Sequence, residues 1–174
     1  MVSDETLMLE FQRGSREAFE ELFARYREPL FGFFRRRLQL RERAEELAQE
    51  TFLAVIRAKA RYEARASVRT YFYAIAMKLL AAERRKGLSA VSGAARVTED
   101  PADAVLWVRQ ALEKLDSEDR EILMLREYEQ LSYSEISEVL GIPVNTVRSR
   151  LFRARLELKS HLDPAGNLEN VKCK

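Results

Sequence analysis

The 174-residue chain has one cysteine, Cys173, and one histidine, His161. A lone thiol builds no disulfide framework, and one cysteine with one histidine cannot supply a Cys/His zinc site, so neither metal nor cofactor is expected. Long hydrophobic runs are also missing. No stretch approaches the roughly 18 apolar residues of a membrane span, and the opening MVSDETLMLEFQRG starts acidic and lacks a signal-peptide core. The chain is therefore expected in the cytoplasm, without membrane insertion. No segment alternates as a strand does, no repeat is visible, and no nucleophile stands at a spacing that would pair it with a base. These absences point away from an enzyme. Net charge is only +2 with 33% charged residues, so any attraction to nucleic acid must come from local clusters.

What the chain has is helical punctuation, densest from Leu131 to Leu158, LSYSEISEVLGIPVNTVRSRLFRARLEL. Ser132 is placed to cap a helix, Glu135 can reach back to the cap amide, and Leu131 and Ile136 flank the cap as a hydrophobic staple. Gly141 supplies a left-handed position at the helix end, while Pro143 blocks continuation and pre-sets the next helical turn. At about 100° per residue, the second helix puts Val147, Leu151, Ala154 and Leu158 on one stripe, the side to be buried. Asn145, Arg148, Ser149, Phe152 and Arg153 project from the opposite side, with Arg150 and Arg155 on the flanks. Between Pro143 and Ser160, Arg148, Arg150, Arg153, Arg155 and Lys159 stand against Glu157 alone, a local charge of +4. A helix-turn-helix carries such a face into the major groove, where arginine bonds guanine bidentately, asparagine prefers adenine and an apolar side chain touches the thymine methyl. A merely solvated basic helix would not call for the cap, the turn and the second helix together.

Taken in order, Leu7 and Phe11 predict a short helix ending at Gly14, and Ser15 can cap the next, with Ala18, Phe19, Leu22, Phe23 and Tyr26 on its apolar side. Pro29 is expected to open a separate helix containing Leu30, Phe31, Phe33, Phe34 and Leu38. A further helix from about Arg41 to Ala60 places Ala44, Leu47, Ala48, Thr51, Phe52 and Val55 on one side, and Glu42, Glu45, Glu46, Gln49 and Glu50 toward the other. That acidic stripe is either a solvated face or a docking surface for a basic helix. Arg57 to Ser67 loses the apolar period and reads as a basic loop holding one aromatic, Tyr62. Ser67 then caps a helix carrying Val68, Tyr71, Phe72, Ile75, Ala76, Leu79 and Leu80, which ends in Arg84, Arg85 and Lys86. These cations suit a helix C-terminus and suit a phosphate backbone equally.

Gly87 to Asp103 is Gly-, Ser- and Ala-rich without helical period and reads as a flexible linker. Beyond it Val105, Val108, Ala111, Leu112 and Leu115 predict one helix, and Ser117 caps another with Ile122, Leu123 and Leu125. The expected architecture is all-α: two small helical domains, 1–86 and 104–162, joined by a linker at 87–103, with a polar tail at 163–174.

Three stretches carry a family resemblance. RAEELAQETFLAV is similar to the core-polymerase-binding helix of extracytoplasmic-function sigma factors, SVRTYFYAIAMKLLAAERRK to their promoter-melting helix, and LSYSEISEVLGIPVNTVRSRLFRAR to their promoter-reading helix-turn-helix. The resemblance implies a bacterial transcription initiation factor whose partners are core RNA polymerase (its largest clamp subunit and flap), promoter DNA and an anti-sigma factor. It implies that Glu45, Glu46, Gln49 and Glu50 meet a basic coiled coil of the clamp. Asn145, Thr146, Arg148, Ser149, Phe152 and Arg153 would read the minus-35 element. The minus-10 contacts would come from Arg57, Tyr62, Tyr71, Lys78, Arg84 and Arg85. The chain departs from the family where Lys78 and Ala82 replace the usual Asn and Asp, and Tyr71 the usual Trp. Two other classes share part of the pattern: a sigma-like mimic that engages an anti-sigma protein, and a helix-turn-helix repressor, in which the acidic stripe would have no purpose.

Overall fold

A computed structural model of the chain describes residues 2–89 and 103–163. Among the described residues there are eight α-helices and no strand: α1 (Asp4–Gln12), α2 (Arg16–Arg35), α3 (Arg41–Ala58), α4 (Val68–Ser89), α5 (Asp103–Glu113), α6 (Ser117–Glu127), α7 (Tyr133–Leu140) and α8 (Val144–Leu162), with a 3-10 turn at Lys59–Arg61. The chain divides into two compact units. The first rests on packing among α1 to α4, and the second on α8 packed against α5 and α6.

In the first unit the caps stand where the hydroxyl residues put them. Ser3 accepts from the Thr6 amide, Ser15 from Ala18 at 3.2 Å and Ser67 from Thr70 at 3.1 Å, each satisfying an amide that has no partner inside its helix. Gly14 takes φ +106° between α1 and α2, a region closed to most side chains.

Pro29 does not open a helix; it lies inside α2, which runs unbroken past it. The ring costs one hydrogen bond to the Arg25 carbonyl. Leu22, Tyr26, Leu30, Phe33 and Phe34, on either side of the proline, share one buried face, and Pro29 is on the exposed one, where water can reach the freed carbonyl. Packing of a common apolar stripe has outweighed the break.

The core of this unit is aromatic. The Tyr26 ring stacks on Phe72 at 4.5 Å between centroids, Phe52 meets Phe72 edge-on at 5.6 Å and Phe23 lies 4.7 Å from Phe52. One set of rings thereby gathers α2, α3 and α4. Removing such a ring, as in Phe72→Ala, typically costs about 3–5 kcal/mol.

Arg57 and Ala58, where the expected helix and the expected loop overlap, close α3, and Lys59–Arg61 follow as the 3-10 turn. At the far end α4 continues through Gly87, Leu88 and Ser89, three residues into the expected linker, and Asp103 already begins α5. The rest of that linker, 90–102, and the tail from 164 lie outside the described residues. In the second unit the cap of α6 is Asp116, accepting from Glu118 at 2.9 Å, rather than Ser117, which is the first helical residue. A carboxylate at the positive end of a helix is favoured over a hydroxyl one position later.

An ion pair ties α3 to α4. Arg43 forks onto both oxygens of Glu83, Nε to Oε1 and Nη2 to Oε2, each at 2.7 Å. Both side chains are largely covered, and the Arg43 hydrogen bonds hold the Glu83 carboxyl below its ordinary range. A carboxylate whose folded pKa is depressed adds stability above its unfolded pKa and loses that share as pH falls through the folded value. Glu83→Gln is therefore expected to destabilise the first unit by about 1–2 kcal/mol at neutral pH, between the exposed and buried cases. In thermal melts at stepped pH the gap to wild type should close below the carboxylate range, and a gap independent of pH would contradict the assignment.

Candidate nucleic-acid interface

The second unit is arranged to hold α8 by one side. Ser132 and Glu135 form a complete capping box on α7: the Ser132 hydroxyl accepts from the Glu135 amide at 3.2 Å, and the Glu135 carboxylate accepts from the Ser132 amide at 2.8 Å. Leu131 and Ile136, the staple around that cap, are both fully buried. Gly141 has φ 66° and ψ 33°, the left-handed position that ends α7. Pro143, extended at φ −60° and ψ 144°, is the residue from which α8 starts. The Ser137 hydroxyl and the Ile142 carbonyl add a 2.5 Å hydrogen bond across the turn.

From that turn α8 buries Val147, Leu151 and Ala154, with Leu158 half-covered, as its spacing predicts. The six residues expected to read DNA come together on the other side. Asn145, Thr146, Arg148, Ser149, Phe152 and Arg153 line one shallow hollow together with Arg150. Phe152 is 66% exposed, a large apolar ring in water at the centre of a basic face. No ion pair holds Arg148 among the described residues.

The arginines are not equivalent. Arg150 pairs with Glu118 of α6, and Arg155 pairs with Glu127 of α6 at 2.7 Å. These flanking cations brace α8 against α6 at two points. Arg153 lies 3.5 Å from Asp119, whose carboxylate is 10% exposed, so one arginine of the outward face is held in place by a nearly buried acid. Asp116, Glu118 and Asp119 lie close together at the start of α6, and the fold brings Glu118 and Asp119 to the edge of the basic face.

The expected minus-10 residues of the first unit divide differently. Tyr71, Lys78 and Arg85 recur every seven residues and share one face of α4, where Lys78 and Arg85 are exposed and Tyr71 is half-covered. Arg57 and Arg84 are also exposed, Arg84 about 100° round the helix. Tyr62 is 5% exposed. Its ring packs edge-on against Tyr71 at 5.2 Å, and its hydroxyl donates to the Ala66 carbonyl at 3.1 Å. Burial raises the Tyr62 and Tyr71 pKa values, which keeps both hydroxyls protonated as donors. Tyr62 thus anchors the segment from within, while Arg61 and Arg65, not singled out from sequence, carry exposed cations.

On α3, Glu45, Glu46 and Gln49 are exposed and Glu50 is half-covered. Arg41 pairs with Glu45 at 3.0 Å, and Arg43 with Glu46 at 2.6 Å and with Glu50 at 3.5 Å. The same stripe continues into Leu53 and Ile56, which are 47% and 39% exposed.

Residues 22–87 match Sigma-70 region 2, and residues 106–158 match Sigma-70 region 4. The RNA polymerase sigma factor YlaC of Bacillus subtilis is 31% identical over 170 residues, spanning 90% of this chain and 98% of that one. The chain belongs to the extracytoplasmic-function RNA polymerase sigma factors. The fold agrees: CnrH, solved in complex with the cytosolic domain of CnrY, superimposes with a TM-score of 0.73 at 24% identity over 93% of this chain and 98% of that one. RpoE of Bartonella quintana, solved with the anti-sigma factor NepR, gives a TM-score of 0.69 at 21% identity over 83% of this chain and 96% of that one. The protein is therefore a non-enzymatic initiation factor that binds core RNA polymerase and directs promoter recognition, DNA melting and transcription initiation. An ordinary repressor is excluded, since region 2 has no place in one. No described helix is long and apolar enough to cross a membrane.

The two classes of arginine on α8 should separate by experiment. Arg148→Ala is expected to cost this sigma factor about 1–3 kcal/mol on its preferred promoter and to relax one base position, whereas Lys159→Ala, beyond the hollow, should weaken all sequences alike. Arg150→Ala should mainly loosen the α6 to α8 brace, by under about 1 kcal/mol in thermal melts. Binding to a minus-35 library randomised by position distinguishes them, and uniform loss for Arg148→Ala would remove it from the reading set.

Proposed function

We propose that Asn145, Thr146, Arg148, Ser149, Phe152 and Arg153 read the minus-35 element, and that α3 docks on core polymerase through Glu45, Glu46, Gln49 and Glu50. Residues 104–162 then form the minus-35 domain, and residues 1–86 the polymerase-binding and minus-10 domain. The observation that carries the polymerase assignment is the mixed character of the α3 stripe. A solvated helix face has no use for Leu53 and Ile56 held outward beside four polar residues, whereas a docking face does. The acids would steer a basic helix of the clamp and the apolar pair would be covered on contact.

Lys78 and Arg85 on α4, with Arg57 and Arg84 nearby and Tyr71 beside them, form the minus-10 face. A cation at Lys78, where the family has asparagine, favours phosphate contact over base reading at that position. Bartonella RpoE was solved in complex with an anti-sigma factor, and an anti-sigma factor that covered the exposed α3 or α8 face would silence this protein. Its place of action is the cytoplasm, with polymerase and the chromosome.

Charge reversal on α3 tests the docking face. Glu46→Lys with Glu50→Lys should leave helicity unchanged, since both acids pair at the surface and Arg43 retains Glu83 as its main partner. Association with core polymerase should fall by at least about a hundredfold, the size typical of a truncated interfacial charge pair. Normal association by the folded double variant would leave the stripe as a solvated face.

A further inference from the structure

The segment from Lys59 to Ser67, between α3 and α4, has little regular structure, yet its carbonyls are held, and the hold begins in α1. Gln12, the last residue of α1, turns its side-chain amide nitrogen onto the carbonyl oxygens of Lys59 at 2.6 Å and Tyr62 at 2.8 Å. Two carbonyl acceptors settle which end of the amide points there, and the two hydrogens of one NH2 group serve both. Lys59 adds a contact in the other direction, its ammonium 3.4 Å from the Phe11 carbonyl and 4.4 Å from the Phe11 ring. Glu5 of α1 accepts from the Val68 amide at 3.3 Å, where α4 begins. Inside the segment the Tyr62 hydroxyl donates to the Ala66 carbonyl at 3.1 Å, and beside it the Tyr71 hydroxyl of α4 reaches the Ala58 carbonyl at the end of α3 at 3.4 Å.

The carbonyls of residues 58, 59, 62 and 66 are therefore turned inward onto side chains. The side chains of Arg61 and Arg65 stand outward in solvent. Among the described residues Arg65 pairs with Glu63 alone, at 3.1 Å and with both side chains well exposed, a contact of little strength. A segment ordered before binding loses less freedom when a single strand arrives than one that must be ordered on contact. It also presents its cations at fixed spacing.

We propose that Gln12 is a positioning residue for recognition of the minus-10 strand: its amide fixes the Lys59 to Ser67 segment in the shape that carries Arg61 and Arg65 to the DNA. The inference rests on the reading of this segment as part of the minus-10 face. Gln12 itself touches no DNA and acts only through the two carbonyls.

The test uses full-length protein reconstituted with bacterial core polymerase. Gln12→Met keeps the length of the side chain and removes its donors, and Gln12→Lys restores donors at similar reach. Three quantities are read for each: affinity for core polymerase, selectivity for the minus-35 duplex, and preference for a single strand of the minus-10 sequence over single-base variants of it. Gln12→Met should leave the first two within about twofold and narrow the third by about tenfold, the discrimination that one base position usually carries; Gln12→Lys should recover most of it. Unchanged minus-10 preference in Gln12→Met overturns the proposal. So does a parallel fall of all three quantities with a lowered melting temperature, because Gln12 would then be holding the domain rather than the segment. Arg61→Ala with Arg65→Ala is the separate control. If that double variant binds the minus-10 strand as wild type does, the segment does not face DNA and the underlying reading fails; if it weakens binding while Gln12→Met does not, only the positioning role fails.

Discussion

Burial of Val147, Leu151 and Ala154 fixes the rotation of α8 about its own axis, and the behaviour of the second unit follows from that one constraint. A helix that must cover a stripe at offsets of four and three has no freedom in which stripe it leaves uncovered. Asn145, Arg148, Ser149, Phe152 and Arg153 face outward because the opposite residues cannot. The capping box, the buried staple and the left-handed Gly141 then set where the helix starts, so its axial position is fixed as firmly as its rotation. Helix α3 obeys the same rule in the first unit, where Ala44, Leu47, Phe52 and Val55 turn inward and the acidic stripe is left on the surface.

Features governed by local sequence were legible before the fold was seen. The Ser132 box, Gly141, the caps at Ser15 and Ser67, the buried face of α3 and the outward face of α8 all depend on spacings of four residues or fewer, within reach of periodicity and capping rules. What escaped depends on competition or on distance. Pro29 reads as a helix start because the local rule counts one lost hydrogen bond, whereas the fold also counts the shared face of Leu22, Tyr26, Leu30 and Phe33. Tyr62 reads as the one aromatic of a basic loop; its ring is buried, with Tyr71 of α4, nine positions on, packed edge-on against it.

Long-range polar partners were invisible for the same reason. Nothing in the sequence joins Arg43 to Glu83, Arg150 to Glu118 or Gln12 to the carbonyls of Lys59 and Tyr62, since each pair is more than thirty residues apart. Charge composition announces that ion pairs exist without saying which. Arg148, Arg150, Arg153 and Arg155 looked alike in the sequence and turn out to have different surroundings: one unpaired among the described residues, two bracing α6, one resting on a nearly buried carboxylate.

That sorting of α8 bears on how related factors diverge. The residues that keep the helix folded (Val147, Leu151, Ala154) and those that strap it down (Arg150, Arg155) share no position with those expected to meet bases. Duplicate copies of such a protein are free to exchange side chains at Asn145, Arg148, Ser149 and Phe152 with small thermodynamic consequence, because these side chains are solvated in the unbound domain, whereas Arg153 also answers the nearly buried Asp119. New promoter preferences can therefore arise by a few substitutions on an unchanged scaffold. The geometry separates the evolution of recognition from the evolution of stability.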